Sequence, residues 1–408
     1  MRCFIALMAV VVTVCSCASR GTDMRVEQRI RAVETGLVEF TTPADMFRAD
    51  STRSENLRTL SERMEHYKVP GVSIAIVSDF APGWARAYGV LRAGGDAPVT
   101  TGTFFQAAST SKLVAAAIVL HYVDSGVLSL DEDVNRYLKS WRLPESEFTR
   151  QQKVTLRLLL THQAGLPSTN FPQQEGAGDP TLVQVLNGEP PATNKPAVVE
   201  QTPGAKWQYS NIGYVVIQQV LEDVLSKPYP RIAEEVVFNP LKMKNSTFVY
   251  PLAPKLRARE AMPHDADGVL RQPEIGPPAL AQGGLVTTPS DLAVFAAELM
   301  RAYAGRSSHL LTRESVRLMF RGQVDLDPAM FGAPFSQGLG PILYGEGNGF
   351  AFILPGSNSP GMNCWLLGYP VTGRGVVVMT NGAMGEVLAM EVISAFNREY
   401  DSANPVRQ

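Results

Sequence analysis

The feature that most constrains this sequence is an uninterrupted run of small and apolar residues, 113–120, placed directly after Ser109 and Lys112. A helix that is apolar on every face belongs inside a large domain, so the run predicts a buried central helix. Ser109 and Lys112 are three positions apart and would share one face at its start. Burial lowers the pKa of a lysine, and a neutral lysine can accept the proton of a serine nucleophile. A purely structural interpretation stays open, in which Ser109 caps the helix and Lys112 extends to water.

The order of the predicted elements indicates an α/β (α+β) protein. The predicted strands are 72–77, 84–90, 362–367 and 375–380. The predicted helices are 54–67, 113–120, 154–162, 212–225 and 386–400. Residues 172–202 are rich in Pro, Gly, Gln and Asn and predict a long surface loop. A helical block that interrupts a strand-containing layer favours a cleft between the two parts, where sites are commonly built.

The N-terminus has the pattern of a bacterial secretory leader. Arg2 precedes an apolar run, 4–14, which is too short to span a membrane stably. The run ends in Val-Cys-Ser-Cys, which resembles a lipobox and predicts a signal peptide at 1–16 and a lipidated Cys17. An ordinary signal peptide cut near Ala18 is the alternative. We therefore expect a protein of the bacterial cell envelope, either lipid-anchored on the periplasmic side or secreted to the periplasm. Residues 17–50 would form a tether and 51–400 the folded domain.

Composition excludes several other functions. The net charge of −2 lacks the positive excess that is typical of proteins that bind nucleic acid. The five histidines are scattered without the spacing of a metal site, so we predict no metal and no cofactor. Three of the four cysteines lie in or at the end of the leader, which leaves Cys364 alone and makes a disulfide in the mature domain unexpected.

A second motif, Tyr209-Ser210-Asn211, precedes the predicted helix 212–225 and is the only Tyr-x-Asn in the chain. A phenol can relay a proton, and a nearby cation favours its phenolate. An asparagine amide can both donate to and accept from a substrate amide or ester. The alternative is a loop tyrosine followed by an asparagine that merely begins a helix.

Together, these two motifs resemble those of the serine β-lactamase and penicillin-binding-protein superfamily, particularly its class C-like branch. Four further segments are similar to family segments: 158–167, 238–243, 283–292 and 376–381. The resemblance covers roughly residues 54–400. It implies a β-lactamase/transpeptidase-like fold, with an antiparallel sheet flanked by helices and a helical subdomain at about 113–283.

The resemblance also implies roles for the motif residues. Ser109 would attack a carbonyl, Lys112 would take its proton, Tyr209 would pass a proton to the leaving group, and Asn211 would hold the substrate. The family's third motif begins with a basic residue, which is missing here in either possible alignment, Leu354-Pro355-Gly356 or Pro355-Gly356-Ser357. Gly356, Ser357 and Asn358 are nevertheless predicted at the substrate, because an oxyanion needs only a strand N–H near Ser357 or Asn358.

These features predict a serine hydrolase that forms an acyl-serine intermediate on a small-molecule ester, amide or peptide. In the family, the missing cation helps to bind a substrate carboxylate, so its loss favours esters or blocked amides, as in family VIII carboxylesterases. A D-Ala-D-Ala-type peptidase or a β-lactamase is the alternative. A different class is also open: a non-catalytic envelope binding protein of penicillin-recognition fold, suggested by the altered third motif.

Overall fold

A computed structural model of the protein describes residues 24–39, 46–47, 56–171, 178–273 and 278–402. The predicted leader and Cys17 lie outside these residues, as do parts of the predicted tether. Within that tether, residues 24–35 form a helix, α1, instead of irregular chain. Ile30 and Val33 of this helix are buried, and Glu27 forms an ion pair with Arg86 at 2.6 Å. The prediction of an irregular tether at 17–50 is therefore wrong for residues 24–35, because they form a helix whose apolar residues pack against the domain.

The described strands form one large sheet and one short ribbon. The strands of the sheet are β1 Gly71–Ser78, β2 Ala81–Gly89, β5 Val324–Asp325, β6 Phe335–Gln337, β7 Ile342–Tyr344, β8 Ala351–Asn358, β9 Met362–Tyr369 and β10 Arg374–Thr380. Their spatial order is β2-β1-β10-β9-β8-β7-β6-β5, with antiparallel neighbours throughout. The ribbon pairs β3, Phe105–Gln106, with β4, Val286–Thr287. The two ends of the domain thus meet in the sheet, where β1 pairs with β10.

The described helices that follow α1 are α2 Leu60–His66, α3 Ser111–Asp124, α4 Glu147–Gln151, α5 Leu156–Leu160, α6 Leu182–Asn187, α7 Asn211–Leu225, α8 Tyr229–Ala233, α9 Pro254–Arg257, α10 Pro289–Tyr303, α11 Arg313–Met319, α12 Pro328–Phe331 and α13 Gly385–Ser402. Most of them, α3 to α9, lie in the sequence between β3 and β4, whereas α2 precedes β1, α10 to α12 follow β4 and α13 closes the described chain. The central, terminal and 212–225 helices are present as predicted. The loop predicted at 172–202 is wrong in part, because it contains α6. A capping box between Thr181 and Gln184 starts that helix, and Leu182, Val185 and Leu186 are buried.

Each face of the sheet covers its own hydrophobic core. Alternating strand residues point to opposite faces. Ala75, Leu366 and Val377 pack with α3, α7 and α10, whereas Ile74, Leu367 and Val378 pack with α2 and α13. Helix α3 lies within the first core, and all residues from Leu113 to Leu120 are buried. The predicted α/β fold with an antiparallel sheet and flanking helices is therefore confirmed.

In the described part of the chain, we find no helix whose length and apolar character would allow it to cross a membrane.

Candidate active site

Ser109 lies in a single 3₁₀ turn, Ala108–Thr110, which leads directly into α3. Ala108 has a φ of 47°, a left-handed conformation that is unfavourable for a residue with a Cβ. The Ser111 hydroxyl holds the turn by donating to Ala108 O at 2.6 Å and accepting from Leu285 N–H at 3.0 Å. The Ser109 hydroxyl does not cap α3. It points instead to Lys112 and Tyr209.

The Lys112 side chain is enclosed, with only 2% of the residue's surface exposed. Its Nζ lies 3.0 Å from Ser109 Oγ, 2.9 Å from Asn211 Oδ1 and 2.6 Å from Gln282 O. The alternative in which Lys112 extends to water is therefore wrong. Burial lowers the pKa of Lys112 because the ammonium form is desolvated.

The loop before α7 brings Tyr209 and Asn211 to the same point. Tyr209 Oη lies 2.7 Å from Ser109 Oγ. The Ser210 hydroxyl caps α7 by accepting from Gly213 N–H, which sets the direction of Asn211 as the first helical residue. Asn211 Nδ2 donates to Thr169 O at 3.3 Å, so its Oδ1 faces Lys112.

This hydrogen-bond pattern suits a lysine that acts as a base. Asn211 Oδ1 and Gln282 O can only accept, so each takes one N–H of Lys112. A neutral amine has two N–H groups and one lone pair. With both N–H groups occupied, the lone pair is directed at the third neighbour, Ser109 Oγ. The geometry thus permits direct proton transfer from Ser109 to Lys112.

Strand β8 passes directly beside the serine turn, and its register decides between the two alignments of the third motif. A Cβ placed on Gly356 would lie 2.8 Å from Ser109 N and 2.3 Å from Ala107 O. Leu354 pairs with Leu366, so both face the core that contains α3. Pro355 pairs with Trp365, which belongs to the opposite core. Leu354 and Gly356 therefore share the face toward Ser109, and the side chain that Leu354 places on this face is apolar.

The last residues of β8 complete this wall of the site. Ser357 is exposed directly after Gly356. Asn358 Nδ2 donates to Gln106 Oε1 at 3.0 Å, three residues before Ser109. The structure thus brings Gly356 and Asn358 beside the serine turn and exposes Ser357 between them.

Sequence reasoning about the site missed two partners. Gln282 contributes its main-chain carbonyl, which no side-chain pattern reveals, although the adjacent Gly283-Gly284 belongs to a family-like segment. His162 belongs to another such segment, and its ring centroid lies 4.6 Å from that of Tyr209. In the sequence, His162 and the glycines next to Gln282 stood out only as parts of the family-like segments 158–167 and 283–292, to which no role had been assigned.

Among the residues that the structure describes, no group of three or more His, Cys, Asp or Glu side chains could hold a metal ion. Cys364 is buried as a free thiol, and burial raises its pKa to about 12. Such a thiol is protonated at neutral pH and is a poor nucleophile.

A serine activated by a lysine one helical turn away, with a phenol on its other side, defines a class of hydrolases that use a serine nucleophile. The β-lactamase family profile matches residues 57–391, and the chain belongs to this family of serine hydrolases. The family prediction made from the motifs is therefore confirmed.

Curated relatives carry two kinds of name. The chain is 29% identical over 342 residues to penicillin-binding protein 4 of Amycolatopsis lactamdurans, covering 79% of this chain and 83% of that protein. It is 25% identical over 265 residues to a candidate D-alanyl-D-alanine carboxypeptidase of Salmonella enteritidis, covering 60% of this chain. It spans only 59% of that second relative's length.

Solved structures share the fold. A penicillin-binding protein homologue from Pyrococcus abyssi, described as octameric, aligns with a TM-score of 0.65 and 24% identity, over 81% of this chain and 74% of that chain. A class C β-lactamase aligns with a TM-score of 0.67 and 18% identity, over 85% and 94%. At these identities the likeness concerns the fold alone.

Proposed function

We propose that this protein is an exported serine hydrolase. Its Ser109 takes up the acyl group of the substrate, and it prefers esters or blocked amides to substrates recognised by a free carboxylate. The observation that carries the preference is Leu354, an apolar side chain on the face of β8 that meets the serine turn. Burying a carboxylate without a paired charge is costly, and an ester lacks that carboxylate.

The proposed catalytic steps use the groups that surround Ser109 Oγ. Lys112 takes the Ser109 proton as Oγ attacks the carbonyl carbon, and the carbonyl oxygen becomes an oxyanion. The N–H groups of Ser109 and of the β8 backbone near Ser357 stabilise that charge. Collapse of the intermediate expels the alcohol or amine, which receives through Tyr209 the proton that Lys112 had taken. Water then attacks the acyl carbonyl carbon and gives a proton to Lys112, the bond to Ser109 Oγ breaks, and Ser109 Oγ takes that proton back as the acid is released.

A second candidate, peptidase or β-lactamase action, is favoured by the names of the relatives. One is called a penicillin-binding protein and another a candidate D-alanyl-D-alanine carboxypeptidase. In the described part of the chain, Lys112 is the only cationic side chain hydrogen-bonded to Ser109, Tyr209 or Asn211, and it already has three partners. No second cationic side chain among the described residues is hydrogen-bonded to these three, which is why we rank this candidate second.

The test compares kcat/KM of the purified protein for p-nitrophenyl butyrate, a chromogenic cephalosporin and an N-blocked peptide ending in D-Ala-D-Ala. Ser109→Ala defines the background. We expect the ester to be the best substrate. Faster turnover of the cephalosporin or the peptide would overturn the preference. Reversible penicillin binding with no turnover of any substrate would instead indicate the non-catalytic binding protein.

We also propose export through the 1–16 leader and anchoring through lipidated Cys17, on the lipobox-like residues alone. A single acyl chain anchors weakly and several anchor stably, so Cys17→Ser should release the protein from the membrane fraction. A mature N-terminus downstream of residue 17, in a soluble fraction, would refute the anchor.

A further inference from the structure

His162 is a buried histidine in a cluster of aromatic side chains at the active site. It follows α5 with a φ of 57° and retains only 4% of its surface exposed. Its ring centroid lies 4.6 Å from the Tyr209 ring, 5.5 Å from the Tyr214 ring and 6.1 Å from the Trp207 ring. No step of the proposed reaction uses its imidazole.

His162 holds the main chain on both sides of Tyr209. Its carbonyl oxygen accepts from Gln208 N–H at 2.8 Å. Its Nδ1 accepts from Ser210 N–H at 3.2 Å. The residues immediately before and after Tyr209 are therefore both hydrogen-bonded to His162, and the His162 ring packs against the phenol ring.

We infer that His162 is a positioning residue for Tyr209, one that fixes the phenol beside Ser109 through its Nδ1 acceptor and its ring. The inference rests on the proposed function in one respect, namely that Tyr209 relays a proton. A displacement of about 1 Å at a reacting group is sufficient to reduce a rate about 100-fold, so a contact that holds both neighbours of Tyr209 has a catalytic consequence.

The protonation state of His162 suits this role. The pKa of His162 is lowered to about 3, first because burial desolvates the charged imidazolium and second because Lys112 repels it when it carries its charge. The ring is then neutral at pH 7. Since Nδ1 accepts from Ser210, the ring proton resides on Nε2.

The test separates the Nδ1 acceptor from the bulk of the residue. His162→Asn places Oδ1 close to the position of Nδ1, and asparagine tolerates a positive φ better than other residues. His162→Leu keeps apolar bulk but has no acceptor. His162→Gln is a second variant without an acceptor at the position of Nδ1, because its longer side chain carries the amide toward the position of Nε2. His121→Asn is the control. His121 lies farther along α3, and its Nδ1 hydrogen-bonds to Leu310 O.

The measurement is the rate constant with which a diphenyl phosphonate modifies Ser109, because its departing phenolate takes the proton that Tyr209 relays, and it is accompanied by thermal unfolding of each variant. We expect His162→Leu and His162→Gln to react about 10- to 100-fold more slowly than the parent. His162→Asn should stay within a few-fold of it, and His121→Asn should match it. If His162→Leu does not fold, His162→Gln provides the same comparison with His162→Asn.

A double-mutant cycle with Tyr209→Phe distinguishes positioning from general destabilisation. If His162 acts through the phenol, adding His162→Leu to Tyr209→Phe should slow the reaction little further. Parental rates in the acceptor-free variants, an equal loss in His162→Asn, or additive losses in the double variant would each overturn the inference. Because phosphonylation requires no ester preference, these outcomes are distinguishable from a failure of the proposed substrate class.

Discussion

At the scale of single residues, the chemistry depends on the protonation state of Lys112. Three acceptor atoms surround its Nζ within 3.0 Å, two of which can only accept. An ammonium would donate to all three, whereas the neutral amine leaves its lone pair for Ser109. Burial lowers the pKa of Lys112 and so increases the neutral fraction that the reaction needs.

The first prediction concerns pH. For a neutral ester, kcat/KM should rise with pH along an acid limb centred at the lowered pKa of Lys112, below its ordinary value of 10.5. Between the lowered folded-state pKa of Lys112 and 10.5, Lys112 holds a proton in the unfolded chain that it lacks in the folded protein. The contribution of Lys112 to stability therefore increases as pH rises through that window. A pH–rate profile tests this, with permanently charged Lys112→Arg expected to be inactive. An acid limb centred at or above 10.5 would contradict it.

The second prediction concerns substrate choice. Leu354→His should place a protonatable donor on the face of β8 that meets Ser109 and improve kcat/KM for a chromogenic cephalosporin relative to a p-nitrophenyl ester. A charge-assisted hydrogen bond contributes roughly 1.5–3 kcal/mol, which corresponds to about a 10- to 100-fold change. Pro355→His is the matched control, because Pro355 lies on the opposite face. An equal change in the ratio of the two kcat/KM values in both variants would contradict the β8 register that places Leu354, and not Pro355, on the face toward Ser109.

At the scale of elements, the site depends on how closely β8 approaches the turn before α3. Gly356 is required there, because a Cβ would meet Ala107 O at 2.3 Å. The contact also places the strand backbone beside Ser109 N, where an oxyanion would form. The same approach leaves Thr110 Oγ1 donating to Leu354 O at 3.1 Å, a second link between the strand and the turn.

The third prediction follows from this contact. Gly356→Ala should separate β8 from the turn, reduce stability by about 1–3 kcal/mol and slow ester turnover about 100-fold or more. Gly349→Ala, at a glycine just before β8 with nothing within 4 Å of its added Cβ, is the control and should leave both unchanged. Urea unfolding and steady-state kinetics measure the two effects. Parental turnover by Gly356→Ala would exclude the close packing.

Much of the site could be predicted from sequence because its residues lie in compact local motifs. Ser109 and Lys112 are one helical turn apart, so their proximity follows from helix geometry. Tyr209 lies 100 positions from Ser109, and only the resemblance to a family placed the two together. The register at Gly356 was ambiguous by one residue, since only strand pairing distinguishes the two faces of β8.

At the scale of the whole molecule, a buried ion pair joins the two ends of the domain. Arg63 on α2 donates through Nε to Glu391 Oε2 on α13 at 2.8 Å, and Tyr67 Oη donates to Glu391 Oε1 at 2.7 Å. The Glu391 side chain has no exposed surface. This link was not predictable from the pattern, because the partners are 328 residues apart and each helix alone reads as amphipathic.

The fourth prediction concerns this link. Glu391→Gln leaves the Arg63 charge buried without its partner, so the free energy of unfolding should fall by about 3–5 kcal/mol. Asp267→Asn is the control, because its ion pair with Lys68 is exposed and should change stability by less than about 1 kcal/mol. Urea unfolding at neutral pH compares the two. Similar small changes in both variants would contradict a structural role for the buried pair.

The central claim is that Ser109 is the nucleophile, and its modification by an active-site probe tests this most directly. The protein is treated with a fluorophosphonate, digested and mapped by mass spectrometry, in parallel with Ser109→Ala. We predict a single adduct on the peptide containing Ser109, and loss of both labelling and ester turnover in the variant. An adduct on another residue, together with turnover that persists in Ser109→Ala, would contradict the mechanism.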